Sequence, residues 1–183
     1  MPLRCAHFKL ADFVRAGEAY HFARVELTPA NMARYHDHDY HEVFWALRGR
    51  GEHLCNGRTQ ELRPGVIHLV RPRDRHRVRG SATAPLHLVN LAFPSLAWTA
   101  VRQRYFADEP DWFEQPLARR AWSVEGRAQT TLAHWTERLA ESGRPAVALD
   151  GFLMELPRLR PALAESNRSP VPDWLEQARA ALA

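Results

Sequence analysis

Alternation of apolar and polar residues characterises the first half of the chain and predicts β-strands there. Residues 20–27 alternate, and residues 86–93 form a short apolar run typical of a buried strand. Within residues 52–62, the pair Asn56-Gly57 separates two short strands and predicts a two-residue hairpin turn with positive φ at both positions. Many short strands divided by such turns are typical of a β-sandwich or a barrel.

After Pro94 the apolar residues change to helical spacing. The pattern predicts helices over residues 95–106 and 124–141, and a third helix after Pro145 that ends or kinks at Pro157. The apolar stripes of the second and third helices either pack onto the barrel or form a subunit interface. We predict that they dimerise the protein through the following side chains: Leu132, Trp135, Leu139, Leu149, Phe152 and Leu156.

These patterns divide the chain into three regions. Residues 1–94 are predicted to form a β-barrel and residues 95–164 a helical region, so the fold class is mainly β with α. Residues 165–172, ESNRSPVP, have the composition of a linker, and an amphipathic helix begins at Asp173. Because nothing follows that helix, residues 165–183 are expected to be a linker and the first helix of a truncated second domain. The alternative is a terminal helix that folds back onto the barrel.

Composition and the lengths of the apolar runs indicate in which cellular compartment the protein occurs. The 183 residues are 45% hydrophobic, which is enough for a folded core. No apolar run reaches the roughly 18 residues of a membrane helix, and the N-terminus lacks the apolar centre of a signal peptide. We therefore expect a cytoplasmic protein without a membrane partner. Cys5 and Cys55 are far apart, so neither a disulfide framework nor a cysteine zinc site is predicted.

Residues 34–44, RYHDHDYHEVF, concentrate histidines and acidic residues on one predicted strand. Alternate side chains of a strand share a face, so His36, His38, Tyr40 and Glu42 point the same way. The aromatic ring makes this the expected interior face of a small barrel. Two neutral imidazoles and one carboxylate are suitable ligands for a divalent metal such as zinc, nickel, manganese or iron.

The arginine-rich segment 71–80, RPRDRHRVRG, supplies a further candidate ligand. Its arginines all have odd numbers, whereas His76 and Val78 have even numbers, so a strand would turn the arginines to solvent and the histidine inward. The net charge of +4 is compatible with a nucleic-acid partner, but a solvated arginine face does not require one. The four candidate ligands are therefore either a metal site or hydrogen-bonded polar residues of the core.

Two segments resemble the sequence motifs of the cupin family. His36-x-His38, three residues, Glu42, six residues and Gly49 match the first motif. Residues 61–76, ELRPGVIHLVRPRDRH, resemble the second motif, which ends in a histidine, although the asparagine that often follows this histidine is missing. In cupins, the three histidines and the glutamate commonly hold one metal inside a jelly-roll barrel. The resemblance therefore implies that this chain keeps all four ligand positions of such a site.

Residues 36–76 are also similar to the sensory domain of AraC-type bacterial transcription regulators. In that family, a cupin-like barrel precedes helices that dimerise, a linker and two helix-turn-helix motifs. Residues 171–183, VPDWLEQARAALA, resemble the opening of the DNA-binding domain. The resemblance implies a cupin-like jelly-roll barrel followed by a helical dimerisation region. It also implies a homodimer that contacts DNA only through the missing C-terminal domain.

The resemblance further implies a sensor without enzymatic activity that binds a small-molecule effector inside the barrel. A sugar is the expected effector, because polar groups and aromatic faces suit it. The side chains expected to contact the effector are the following: His36, His38, Tyr40, Glu42, Trp45, His68 and His76. The alternative is a metal-dependent cupin enzyme, such as a dioxygenase or isomerase, with the same four ligands. The helical region has no role in a minimal enzyme of that kind.

Overall fold

Ten strands in two sheets form the main body of the molecule, for which a computed structural model describes residues 5–160. In chain order the strands are β1 (Ala6–Phe8), β2 (His21–Leu27), β3 (His36–His38), β4 (His41–Arg48), β5 (Gly51–Cys55), β6 (Arg58–Leu62), β7 (Val66–Val70), β8 (His76–Gly80), β9 (Leu86–Phe93) and β10 (Ala121–Ser123). The first sheet has the order β1-β3-β8-β5-β6, and the second has the order β10-β7-β4-β9-β2. The predicted linker and terminal helix at 165–183 lie outside the described residues.

The two sheets face each other and enclose an apolar interior, as in the jelly-roll barrel expected from the sequence. Alternate residues of each strand point into this interior because the strands are pleated. The buried apolar residues between the sheets are Leu27, Phe44, Ala46, Leu62, Val70, Val78, Leu86 and Leu88. The predicted fold class, mainly β with a cupin-like barrel and following helices, is therefore confirmed.

Three helices cover the outer face of the second sheet. They are α1 (Ser95–Tyr105), α2 (Arg127–Ala140) and α3 (Ala146–Glu155). Their buried side chains form one cluster with outward-facing residues of the sheet, among them Val43 and Trp45 of β4. No helix within residues 5–160 combines the length and the apolar character needed to cross a membrane.

The hairpin predicted at Asn56-Gly57 is present between β5 and β6. Both turn residues have positive φ, 49° at Asn56 and 79° at Gly57, and Cys55 pairs with Arg58 across the turn. Asparagine and glycine tolerate this left-handed conformation better than other residues. The register that follows places His53 on the same face as Cys55 and therefore inside the barrel.

The prediction of a single strand over residues 34–44 is wrong, because the chain bends at Asp39 and Tyr40. β3 ends at His38 and belongs to the first sheet, whereas β4 begins at His41 and belongs to the second. The alternation of side chains continues across the bend. As a result, the histidines of β3 and Glu42 of β4 approach one another from opposite sheets.

The six residues predicted to form a dimer surface are in the core of the protomer. Five of them are buried against the barrel and the other helices: Leu132, Leu139, Leu149, Phe152 and Leu156. The sixth, Trp135, is half-buried and packs against Gly151 and Phe152 of α3. Side chains buried inside one protomer cannot also form its surface. The apolar stripes of α2 and α3 therefore pack within the protomer, which is the alternative to the predicted subunit interface.

Candidate functional site

Three histidines and one glutamate meet between the two sheets. His36 and His76 lie directly opposite each other in the pairing of β3 with β8, and Glu42 projects from β4 in the facing sheet. With His38, they offer four ligand atoms that all lie within 4.8 Å of one another. All four side chains are buried, and His36, the most exposed, retains 8% of its surface.

The separations between these atoms fit the coordination of a metal ion. His38 Nε2 is 3.2 Å from His76 Nε2 and 3.2 Å from Glu42 Oε2. The distance from His76 Nε2 to Glu42 Oε2 is 3.6 Å. Ligand atoms that lie about 2.1 Å from one ion, at tetrahedral or octahedral angles, are separated by about 3.0 to 3.4 Å. The donors of His38, Glu42 and His76 are thus already close to the spacing that an ion requires, and the donor of His36 lies within 4.8 Å of them.

Backbone carbonyls orient two of the imidazoles. Nδ1 of His36 donates a hydrogen bond to the carbonyl of Arg34 at 2.7 Å, and Nδ1 of His38 donates to the carbonyl of Tyr40 at 2.8 Å. Since a neutral imidazole carries one proton, these bonds leave Nε2 of both rings as a lone pair. Carbonyl acceptors of this kind commonly fix the tautomer of histidines that bind metals.

The charges of the cluster favour a cation. Burial alone raises the pKa of Glu42, but the neighbouring histidines, His76 first, outweigh it and hold that pKa at about 2. Burial lowers the pKa of His36, and it lowers that of His76 well below the usual value. At neutral pH the cluster therefore combines an ionised carboxylate with neutral imidazoles at His36 and His76. A proton on His76 Nε2 satisfies only one of the two acceptors that face it, whereas a divalent ion satisfies all of them.

Two further polar residues hold the cluster in place. Asn90 of β9 donates to Glu42 Oε1 at 2.6 Å, and His53 of β5 lies with Nε2 at 3.2 Å from Nδ1 of His76. Sequence reasoning missed both. Asn90 is the one uncharged polar side chain in the otherwise apolar run LVNLAF, and the hairpin register implies that His53 faces inward. Those two signals could have identified them.

A cleft of about 210 Å³ opens beside the cluster. Its polar residues are His21, His36, Tyr40, Glu42, His76 and Asn90. Its apolar residues are Phe8, Phe13, Ala23, Val25, Leu27, Ala33, Val78 and Leu88. The segment that contains both phenylalanines crosses the cleft beside the cluster: Phe8 stacks on His36 with ring centres 4.5 Å apart. Sequence patterns did not reveal the phenylalanines as site residues, because they reach the cleft only through the pairing of β1 with β3.

Two of the residues predicted to contact an effector lie elsewhere. Trp45 points out of the barrel, where its Nε1 donates to Thr136 Oγ1 of α2 at 3.2 Å. It therefore contributes to helix packing and does not reach the cleft. His68 faces the barrel interior but stacks on Phe44, with ring centres 4.9 Å apart, and lines a separate cleft of about 380 Å³ between β6 and β10. His38 lies beneath the main cleft as a member of the cluster.

His68 is expected to destabilise the protein. Both its ring nitrogens are buried without a hydrogen-bond partner among residues 5–160. Burial, together with the neighbouring His53, lowers the pKa of His68 to about 3. A buried polar group without a partner costs about 1–3 kcal/mol. The substitution His68→Leu, which nearly conserves volume, is thus expected to raise the free energy of unfolding in urea by about 1 kcal/mol at neutral pH.

The gain from His68→Leu should increase as the pH falls below about 6.5, because the unfolded chain then protonates His68 and the native chain does not. The depressed native pKa means that stability is present at higher pH and is lost on acidification. His134→Leu, on the exposed face of α2, is the control and should change stability by less than about 0.5 kcal/mol. A loss of stability in His68→Leu would mean that the ring has a bound partner.

Comparison with known proteins assigns the chain to a family. The family described as AraC-like ligand binding domain matches residues 20–150. The HTH-type transcriptional activator RhaS of Salmonella arizonae is 30% identical over 87 residues, which are 48% of this chain and 28% of RhaS. The chain thus spans about 28% of the length of the curated relatives it matches.

Solved structures support the same fold. Apo ToxT from Vibrio cholerae has a TM-score of 0.55 at 10% identity, over 76% of this chain and 56% of ToxT. ToxT bound to (E)-4-(8-methylnaphthalen-1-yl)but-3-enoic acid has a TM-score of 0.55 at 9% identity, over 78% of this chain and 57% of ToxT. The family match covers more than half of the chain, from β2 into α3. This chain belongs to the AraC-like ligand-binding domain family.

Proposed function

We propose that the chain is the effector-sensing part of an AraC-type transcription regulator and binds a small molecule in the cleft beside the histidine cluster. The observation that carries the proposal is the position of that cleft. It lies inside the barrel of a ligand-binding family, and His36, Glu42 and His76 line it. A structure of ToxT, which shares the fold, is bound to an organic acid, and this supports small-molecule binding by a protein that contains this fold.

We also propose that His36, His38, Glu42 and His76 hold one divalent metal, with zinc, nickel, manganese and iron as candidates. The convergent lone pairs and the buried carboxylate support this proposal. A bound ion would supply a Lewis acid that anchors an oxygen atom of the effector. The backbone carbonyls of Arg34 and Tyr40 orient the imidazole rings of His36 and His38. The barrel excludes bulk water from the four side chains.

Strand β4 offers a route from the cleft to the helices. Glu42 lies on its inner face, whereas His41 and Trp45 lie on its outer face. His41 Nδ1 is 3.1 Å from Ser95 Oγ at the start of α1, and Trp45 reaches α2. An effector that shifts β4 would therefore change the packing of two helices. Coupling of this kind requires a preference of about 1–3 kcal/mol for one arrangement.

DNA binding, dimerisation and the domain division are further parts of the proposal. In this proposal, residues 1–94 sense the effector, residues 95–164 form the helical region that dimerises and transmits the signal, and residues 165–183 lead into the DNA-binding domain of a longer regulator. A homodimer would have to use side chains that the protomer leaves exposed. Val147 of α3 is 71% exposed and Leu96 of α1 is 80% exposed, so these helices still carry apolar surface.

Gene expression tests the sensor role. Deleting the gene in the source organism is expected to change a limited set of transcripts. The variant Ala23→Trp fills the cleft from β2 and is expected to hold those transcripts at one level under all growth conditions, because the effector cannot enter. Glu26→Ala, on the opposite face of the same strand, should leave the response intact. A deletion that changes no transcript, or an Ala23→Trp variant whose transcripts still respond to growth conditions, would contradict the proposal.

A metal-dependent enzyme is the second candidate, and one observation favours it. Three of the four possible ligands line the cleft, so a bound molecule would lie next to the ion. The two functions differ in the fate of that molecule. Mass spectrometry of a compound that binds the metal-loaded chain should recover it unchanged from a sensor, whereas an enzyme would convert many equivalents per chain.

A further inference from the structure

The cleft has two chemically different sides. One end is polar and contains His36, Glu42 and His76. The other polar residues of the cleft belong to the same end: Asn90 donates to Glu42, Tyr40 stacks on His38, and the pairing of β2, β9 and β4 places His21 beside Glu42. The walls that lead away from it are apolar and include Val25 of β2 and Leu88 of β9. A molecule that fills this space would contact polar groups at one end only.

The apolar walls of the cleft disfavour the sugar expected from the sequence. At about 210 Å³ the cleft is smaller than sites for drug-sized ligands, so a ring with a short substituent fills it. A monosaccharide carries hydroxyl groups around its whole ring. Those that face the apolar walls would lose water without gaining a partner, at about 1–3 kcal/mol each. Aromatic stacking could offset this only on one face of the ring.

The polar end selects an anionic oxygen when it holds a divalent ion. A divalent ion is bound by the carboxylate form of glutamate and the neutral form of histidine, so an ion held by Glu42 and the three histidines gives a cluster with a net charge of +1. Asn90 donates its amide hydrogen to Glu42 and helps to keep that carboxylate bound to the cluster. An incoming carboxylate is therefore attracted by the loaded cluster. Glu42 would repel the same group if no ion were present.

We propose that the effector is a small monocarboxylic acid with an aromatic or short aliphatic body. Its carboxylate lies at the end formed by His36, Glu42 and His76, and its body lies against Val25 and Leu88. This proposal rests on the proposed function, because it takes the cleft as the effector site and the cluster as loaded with metal. It names the class of molecule that the cleft accepts.

Calorimetry on the zinc-loaded chain tests the proposal with two sets of probes. The acids are benzoate, phenylacetate and hexanoate, and the sugars are L-arabinose, L-rhamnose and D-glucose. We expect at least one acid to bind and no sugar to bind. Removing the zinc with a chelator should abolish binding of the acid, because Glu42 then faces its carboxylate without a counter-charge.

A variant of the apolar wall tests the orientation of the acid. Val25→Asn leaves the metal ligands unchanged and is expected to weaken binding of the acid about tenfold, since a polar group replaces about two buried methyl groups. Glu26→Asn, on the opposite face of β2, should have no effect. Elemental analysis of both variants should give the same zinc content as the original chain.

The possible failures are distinguishable. A sugar that binds while no acid does would overturn the carboxylic-acid class and leave the cleft as the effector site. If neither the acids nor the sugars bind, the carboxylic-acid class is also overturned. The transcript experiment with Ala23→Trp then decides independently whether the chain is a sensor. Acid binding that survives both the chelator and Val25→Asn would place the acid outside this cleft and also overturn the proposal.

Discussion

Replacing His38 and His76 together by alanine is expected to remove all tightly bound divalent metal from the chain. The two Nε2 atoms and Glu42 Oε2 are the three most closely spaced donors of the cluster. Without the two imidazoles, one histidine and one carboxylate remain, which is too few donors for a stable site. Elemental mass spectrometry of the purified proteins should find about one ion per original chain and none in the variant.

The control for this double variant is His68→Ala, which removes a buried imidazole of the same size from the same barrel but leaves all four donors in place. It should retain the metal. Heat denaturation gives a second readout, because an ion at 100 times its dissociation constant stabilises the native state by about 2.7 kcal/mol. A chelator should therefore lower the midpoint temperature of heat denaturation of the original chain and leave that of the double variant unchanged. An original chain that takes up no zinc, nickel, manganese or iron would contradict the metal site.

The substitution Asp74→Ala is expected to cost about 3–5 kcal/mol of unfolding free energy, the typical loss when one partner of a buried ion pair is removed. Asp74 and Arg120 are both 2% exposed and form a salt bridge. Asp74 also accepts hydrogen bonds from Asn56 Nδ2 at 2.7 Å and from Arg71 Nε at 3.0 Å. The variant would leave the guanidinium of Arg120 buried without a counter-charge. Urea unfolding followed by tryptophan fluorescence measures the change.

An exposed ion pair provides the comparison for Asp74→Ala. Glu137 of α2 pairs with Arg24 of β2 at 2.6 Å, but both side chains are exposed to solvent, by 74% and 46%. Glu137→Ala should therefore cost less than about 1 kcal/mol. The double variant Asp74→Ala/Arg120→Met should recover part of the loss, because it removes the uncompensated charge. Equal losses for Asp74→Ala and Glu137→Ala would contradict the assignment of Asp74 and Arg120 as a buried pair.

Local patterns predicted the elements whose partners are near in sequence. The hairpin at Asn56-Gly57 depends on two residues that tolerate positive φ, and the structure contains it. Alternation along residues 34–44 and 71–80 also placed the histidines and Glu42 inside the barrel. The chain bends after His38, but two residues separate the strands without changing which side chains face inward. The prediction of convergence therefore did not depend on a continuous strand.

The sequence patterns missed the features that depend on packing between residues far apart in the chain. An apolar stripe such as that of Leu132 and Leu139 has the same spacing whether it covers a sheet of its own chain or a second subunit. Alternation places Trp45 on the outer face of β4, but only the position of α2 shows what it packs against. The apolar wall of the cleft joins Phe8 from the N-terminal segment with Leu88 from β9, and no local signal connects residues so far apart.

The central position of β4 limits how this domain can evolve. Every residue from His41 to Ala46 is buried, so each one is constrained either by the cluster inside or by the helices outside. A substitution there would damage binding or packing before it created a new preference. Adaptation to a different effector therefore has more freedom at cleft positions such as Ala23 and Val25 of β2, whose side chains are only partly buried. We expect related sensors to diverge first along β2 while β4 stays nearly unchanged.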